Sequence, residues 1–302
     1  MLDLLLALWP LFALIVGGHL LRRLDFVGEG FWPGAERLNY FILFPALLFD
    51  SLARAPLHNP ALPRLAAAVL LGLGLAWAGL LLVRRRQGWP AARFGALTQG
   101  LLRFNTYLGL AAVGSLFGPT GLAQAALMLA LMVPAVNLMS VWAFCAERGR
   151  DPRALLLPIL RNPLILACLA GALYNLSGLG LPGGTERLLG LLAAASLPLG
   201  LLCVGAALKP QELGGEASAL GWNSALRLLA MPLLAWDIAR LLDLPALESV
   251  VLVLFFGLPT APTAYVLTRQ LGGDGHLMAG LITLQTLLAA ASLPLVLFLL
   301  RS

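Results

Sequence analysis

Charge is scarce in this chain. Asp, Glu, Lys and Arg make up only 11% of its 302 residues, whereas soluble domains carry about 25%. That scarcity excludes an ordinary water-soluble domain. Lysine is nearly absent, with Lys209 alone against nineteen arginines. The three cysteines, Cys145, Cys168 and Cys203, fall inside or beside apolar runs with no paired spacing. They read as small apolar filler rather than disulfides or metal ligands. Catalytic signatures are missing too: no His-Glu-x-x-His, no glycine-rich phosphate loop with a lysine, no carboxylate pair set for acid–base work. These absences argue against an enzyme, a metal site and a cofactor.

What the chain has in abundance is apolar sequence. It is 60% hydrophobic with a mean hydropathy of +0.90, and a helical membrane span needs roughly 20 apolar residues. The runs predict ten spans in a lipid bilayer: 4–22, 37–53, 62–83, 92–117, 121–145, 160–180, 187–208, 220–242, 247–269 and 276–300. The net charge of +6 would suggest nucleic acid in a soluble protein, but here the arginines sit mostly in loops and set topology. The odd-numbered loops hold thirteen basic residues, among them Arg22, Arg23, Arg84, Arg85, Arg86, Arg148 and Arg150, and the opposite side holds five. That asymmetry predicts a multi-pass protein of the cytoplasmic membrane with both termini on the extracytoplasmic side. Residues 4–21 follow Asp3 and precede Arg22-Arg23, which suits an uncleaved first span better than a signal peptide.

The organising stretch is residues 253–265. It is apolar enough for a membrane yet carries Pro259 and Pro262. Each proline lacks an N–H and clashes with the preceding turn, so a continuous helix is not expected. Pro259 removes the donor for the Phe255 carbonyl, and Pro262 removes the donor for that of Leu258. In hydrocarbon such freed carbonyls cost several kcal/mol apiece unless something polar meets them. Thr260 and Thr263 are local partners, and a water-filled cavity is another. Broken spans of this kind build the midplane binding sites of secondary transporters.

A second set of polar groups lies in span 4. Arg103 stands ten residues beyond Arg93, about 15 Å at the helical rise and so near the midplane. A guanidinium there needs a partner or a cavity. Either an anionic substrate matches its fork, or it forms a permanent pair with Asp50 or Asp237. Asn105 either caps a helix break or offers its NH2 to a carboxylate; Thr106 and Tyr107 are lesser candidates. Asp50 has Arg54 at i+4 and Asp237 has Arg240 at i+3, which suits ion pairs near the outer ends of spans 2 and 8. Gln285 in span 10 bonds a neighbouring helix or lines the cavity.

The halves also echo each other. Pro45 in span 2 matches Pro198 in span 7, Asn105 matches Pro259, and an offset of 153 lays Gly18 on Gly171. Five spans per half is odd, so the second half enters from the other face and the repeat is inverted. The expected layout is residues 1–147 as one five-helix repeat, 148–159 as a cytoplasmic linker, and 160–302 as the second repeat.

With these residues in view, the chain resembles the auxin efflux carrier family, bacterial type. The likeness rests on Asn39 through Phe44-Pro45-Ala46-Leu47 to Ala53, on 104–110 around Asn105 and Gly109, and on Gly257-Leu258-Pro259-Thr260-Ala261, Tyr265, Gln270, Gly272-Gly273-Asp274, Thr283, Thr286 and Ser292-Leu293-Pro294. The resemblance implies an all-α fold of ten spans with discontinuous helices 4 and 9 crossing at the midplane. It implies a carrier of small organic anions such as malonate or malate, and it suggests a homodimer. The expected substrate-binding set is Arg103, Asn105, Thr106, Pro259, Thr260, Pro262, Thr263 and Tyr265, with Asp50 and Gln285 as positions for a coupled proton or sodium ion. One departure is Ala111, where the family commonly has proline, so the span 4 break rests on Gly109 and Asn105 alone. A polytopic enzyme acting on lipid-like substrates, or a channel or receptor, is the alternative reading.

Overall fold

The structure, a computed structural model, describes residues 2–55, 60–145 and 162–299. The described residues are helical, with no strand among them. The expected linker at 148–159, with Arg148, Arg150 and Arg153, lies outside the described residues.

Helix α1 (Leu2–Arg23) is followed by α2 (Phe31–Leu38), which runs through a π-helical turn at Asn39–Leu43 into α3 (Phe44–Ala53). Next come α4 (Leu62–Gln87), α5 (Ala91–Leu102) and α6 (Thr106–Cys145). The second half holds α7 (Pro163–Ser177), α8 (Thr185–Ala206), then α9 (Ala217–Ala225), which passes through a π-helical turn at Leu226–Ala230 into α10 (Met231–Leu241). It closes with α11 (Ala246–Phe256), α12 (Thr263–Gln270) and α13 (Gly275–Leu299).

Local chemistry explains most boundaries. α4 ends after three arginines at Gly88, whose φ of 62° suits a residue without Cβ. α6 is two helices joined at Gly118, with φ 60° and ψ −152°. Only glycine occupies that region readily, and Pro119 restarts the helix with its φ already set. Asn162 caps α7 by accepting from the Leu164 N–H at 2.9 Å. Asp274 caps α13 by accepting from the Leu277 N–H at 2.9 Å. The second apolar segment begins at Phe31, six residues earlier than the hydropathy suggests, because Glu36 and Arg37 are helical rather than part of the loop.

Among the described residues, five helical stretches are long and apolar enough to cross a membrane, including Leu62–Gln87 and Gly275–Leu299. Leu70, Leu71, Leu75 and Leu82 on α4 and Leu166, Leu169, Leu173 and Leu176 on α7 are exposed. That much outward apolar surface is a lipid-facing coat. α11 is the opposite case: Val251 through Phe256 are buried on every side, as befits a helix at the centre of a bundle.

Close packing pairs α1 with α8 and α3 with α7. A Cβ on Gly18 would collide with the Leu202 carbonyl, and one on Gly171 would lie 2.7 Å from the Phe49 carbonyl. Arg22 donates to the Ala206 carbonyl at 2.7 Å, and Asn175 donates to the Ala53 carbonyl at 2.9 Å. Adding 153 to the first partner and subtracting it from the second turns Gly18–Leu202 into Gly171–Phe49, and Arg22–Ala206 into Asn175–Ala53. Two contacts one helical turn apart therefore obey one offset, Asn175 also donating to the Leu52 and Ala55 carbonyls.

Overpacking of this kind costs about 1–3 kcal/mol. Gly18→Val and Gly171→Val are each expected to lower the detergent Tm by about 2–12 °C. Gly74→Val, where a Cβ meets nothing within 4 Å, is the control and should move it little. Thermal unfolding followed by intrinsic fluorescence reads the comparison.

Candidate functional site

Two interruptions meet at the centre. The helix started by α11 stops at Phe256 and resumes at Thr263, across Gly257-Leu258-Pro259-Thr260-Ala261-Pro262. α5 stops at Leu102 and α6 starts at Thr106, with Arg103 extended at φ −78° and ψ 141°. The Asn105 N–H donates to the Pro259 carbonyl at 2.8 Å, joining one break to the other. Phe104 packs edge-on against Phe255, with ring centroids 5.7 Å apart.

No proline makes the α5–α6 break, so polar side chains must hold it open. Asn105 caps α6, its Oδ1 accepting from the Leu108 N–H at 3.2 Å. Thr260 donates its hydroxyl to the Gly100 carbonyl at 2.8 Å, and its N–H donates to Gln285 Oε1 at 2.9 Å. Gln285 donates to the same Gly100 carbonyl at 3.0 Å and to Asn223 Oδ1 at 3.1 Å. Asn223 donates to the Leu97 carbonyl at 3.0 Å, and Gln99 donates to Thr268 Oγ1 at 2.6 Å. All these side chains are fully buried.

The carbonyls freed by the two prolines are met by neither threonine. Arg227, on the π-helical turn between α9 and α10, is wholly buried. It donates to the Leu258 carbonyl at 2.6 Å, the Leu101 carbonyl at 2.8 Å and the Phe255 carbonyl at 3.1 Å. A reading of the spans that singles out Arg103 passes over Arg227, although both interrupt apolar segments. An arginine inside a span is the signal that would have found it.

Beside this crossing lies a cavity of about 60 Å³, room for a small group of waters or part of a small ligand. Arg103, Asn105, Thr106, Pro262 and Thr263 all line it. The first N–H groups of a helix lack intrahelical acceptors, and α6, α12 and the Asn162-capped α7 begin on this wall. Asn105 is fully buried, and its Nδ2 has no hydrogen-bond partner among the described residues. Arg103 is partly buried and donates to Gln99 Oε1 at 3.3 Å. It pairs with no carboxylate among the described residues; Asp50 bonds Arg54 at 2.7 Å instead. Helix N-termini, an idle amide donor and a guanidinium without a carboxylate partner thus share one wall with Glu36.

Other expected residues lie elsewhere. Thr260, Pro259 and Gln285 belong to the crossing itself rather than the cavity wall, and the Tyr265 ring packs under Lys209 Nζ at 4.1 Å. Glu36, Tyr40 and Asn137 line the cavity without a sequence signal that marks them. Glu36 is the acid on that wall.

A larger cavity of about 650 Å³ opens between α1, α3, α6 and α8. Asp50, Ser51 and Arg54 stand on its wall, and Arg54 also bonds Glu186 of α8. The Asp50 hydrogen bond holds the Arg54 guanidinium above its ordinary range. Phe44 and Tyr107, with ring centroids 4.8 Å apart, line the small cavity, while Leu47 and Ala111, one turn farther along each helix, line the large one. On the far side of the molecule, Arg240 lies over the Trp236 ring, and no Asp237–Arg240 pair forms among the described residues.

Comparison with known proteins points to membrane transport. Residues 150–297 match the sequence profile of a family described as "Membrane transport protein". The chain is 29% identical over 294 residues to an "Uncharacterized transporter" of Methanothermobacter thermautotrophicus, covering 93% of each chain. It is 27% identical over 315 residues to a "Putative malonate transporter" of Rhizobium meliloti, covering 97% of this chain and 94% of that one.

The threonines provide a direct check on the geometry. Thr260→Val removes a buried hydroxyl from two acceptors and is expected to cost about 1–3 kcal/mol, read as a lower Tm. Thr263→Val alters the cavity wall only, so its Tm should stay near that of the parent.

Proposed function

We propose that this membrane transporter of the auxin efflux carrier family moves a small organic anion, a mono- or dicarboxylate, across the cytoplasmic membrane by alternating access. The observation that carries the proposal is the small cavity, where helix N-termini, the unpaired Asn105 amide and Arg103 converge. A carboxylate placed there accepts from all of them. Because its affinity comes from fixed donors in a low-dielectric site, the site favours charged over neutral ligands. The relative named for malonate makes malonate the first substrate to test.

The architecture proposed is two inverted five-helix repeats, residues 1–147 and 160–302, joined by a cytoplasmic linker at 148–159, with both termini extracytoplasmic. The shared offset of 153 in the Gly18 and Arg22 contacts supports the repeat. The excess of basic residues in the odd loops supports the orientation. The small and large cavities, separated by the Phe44–Tyr107 layer, suit access from one side at a time. Parting those rings while the opposite mouth closes is the motion that the scheme requires. Gln285 is engaged by Thr260, Gly100 and Asn223, which leaves Asp50 as the position for any coupled proton. The homodimer that the family suggests is part of the same proposal.

Thermal-shift titration of purified protein with malonate, malate and acetate tests this reading, since a ligand of the native state raises Tm. Malonate or malate should give a saturable rise. Arg103→Gln, which loses hydrogen bonds between charged groups, should weaken the apparent affinity about 10–100-fold, and Asn105→Ala should weaken it as well. An absent shift, or one unchanged in Arg103→Gln, contradicts the proposal.

A further inference from the structure

The crossing has two electrically different sides. Helices α6 and α12 begin at the small cavity and turn their N–H ends towards it. Helices α5 and α11 end at the same crossing, and they turn carbonyl ends the other way. Leu101 belongs to the last turn of α5, Phe255 to the last turn of α11, and Leu258 to the break itself. These three carbonyls converge on one guanidinium, that of Arg227.

Three oxygens, two of them at the negative ends of helix dipoles, make the donor set that carriers use to hold an alkali cation at unwound helices. Here a side chain fills it. No carboxylate lies within 4 Å of the Arg227 guanidinium among the described residues; the acids in ion pairs there serve Arg54, Arg64, Arg93 and His276. The positive charge is therefore balanced by backbone carbonyls alone. A buried, unpaired charge is costly to keep, so its retention needs a reason. The crossing supplies one, because the two breaks leave three carbonyls pointing at one place, and the neutral donors beside them, Thr260, Asn223 and Gln285, serve the Gly100 and Leu97 carbonyls instead.

We propose that Arg227 is a covalently attached substitute for an exchangeable coupling cation. It permanently neutralises the carbonyl side of the crossing, so anion movement needs no sodium or other alkali ion bound there. The N–H side is left for the substrate, and the charge at the crossing changes only when the anion binds or leaves. This rests on the transport reading above. It specifies which ion that transport does without.

The test has two arms. In the first, initial rates of [14C]malonate uptake into wild-type proteoliposomes are measured at constant pH in sodium, potassium or N-methyl-D-glucamine chloride. Rates within about twofold of one another are expected; a dependence on sodium greater than about tenfold overturns the proposal. The second arm uses Tm and needs no substrate. Arg227→Ala should have a lowered Tm that millimolar guanidinium or sodium chloride raises saturably against an N-methyl-D-glucamine control, while wild type shows no such rise. Arg227→Lys should keep a higher Tm than Arg227→Gln, since it retains the charge. An Arg227→Ala protein with the parental Tm, or a glutamine variant equal to the lysine variant, overturns the proposal. If Arg227→Ala does not fold, the lysine–glutamine comparison decides the second arm. Uptake that is zero in every salt counts against malonate transport and leaves the thermal arm to judge Arg227.

Discussion

An apolar interior cannot hold an unmet carbonyl, and the centre of this protein is arranged around that constraint. Pro259 and Pro262 interrupt one helix, and a turnless stretch at 103–105 interrupts another. Each break leaves backbone groups that water would satisfy at a surface and that nothing satisfies in hydrocarbon. The chain meets them with long-range donors: Arg227 for three carbonyls, Thr260 and Gln285 for Gly100, and the Asn105 N–H for Pro259. These bonds join α9, α5, α11 and α13 into one unit. That ties the two breaks together as one packed crossing.

Function follows from which groups are left over. Every polar atom of Gln285 and Arg227 is committed to the protein's own backbone or to a neighbouring side chain, so these residues shape the site without occupying it. Asn105 is different: its Oδ1 caps α6, while its Nδ2 is buried and idle. A buried donor without an acceptor costs roughly 1–3 kcal/mol. In the proposed scheme an acceptor on the substrate recovers that cost, and Arg103, held only by Gln99, would supply the long-range attraction.

Much of this was legible in the residue order. The position of the span 9 break, and the identity of the two carbonyls it frees, follow from proline chemistry alone. Their partner does not, because Arg227 lies 31 and 28 residues away on another helix, and no local rule links them. The span 4 break carries no proline or glycine of its own; of its two sequence cues, Asn105 lies at the break and Gly109 falls inside α6. Thr260 looked like a ligand-facing hydroxyl, yet its N–H and O–H both turn to Gln285 and Gly100. Tyr265, two residues into α12, falls on the far face under Lys209. Side-chain direction at a break depends on backbone angles that composition leaves open. The Gly18–Gly171 correspondence was visible as an offset, and the partners Leu202 and Phe49 are related by the same shift.

The account stands or falls on where an anion sits. An experimental density map of the detergent-purified protein, recorded with and without malonate, locates it directly. The account predicts ligand-dependent density bridging the Arg103 guanidinium, Asn105 Nδ2 and the first N–H groups of α6 and α12, with Arg227 still bound to its three carbonyls. Density confined to the larger cavity beside Asp50 and Arg54, or an unbroken helix through residues 253–265, would contradict it.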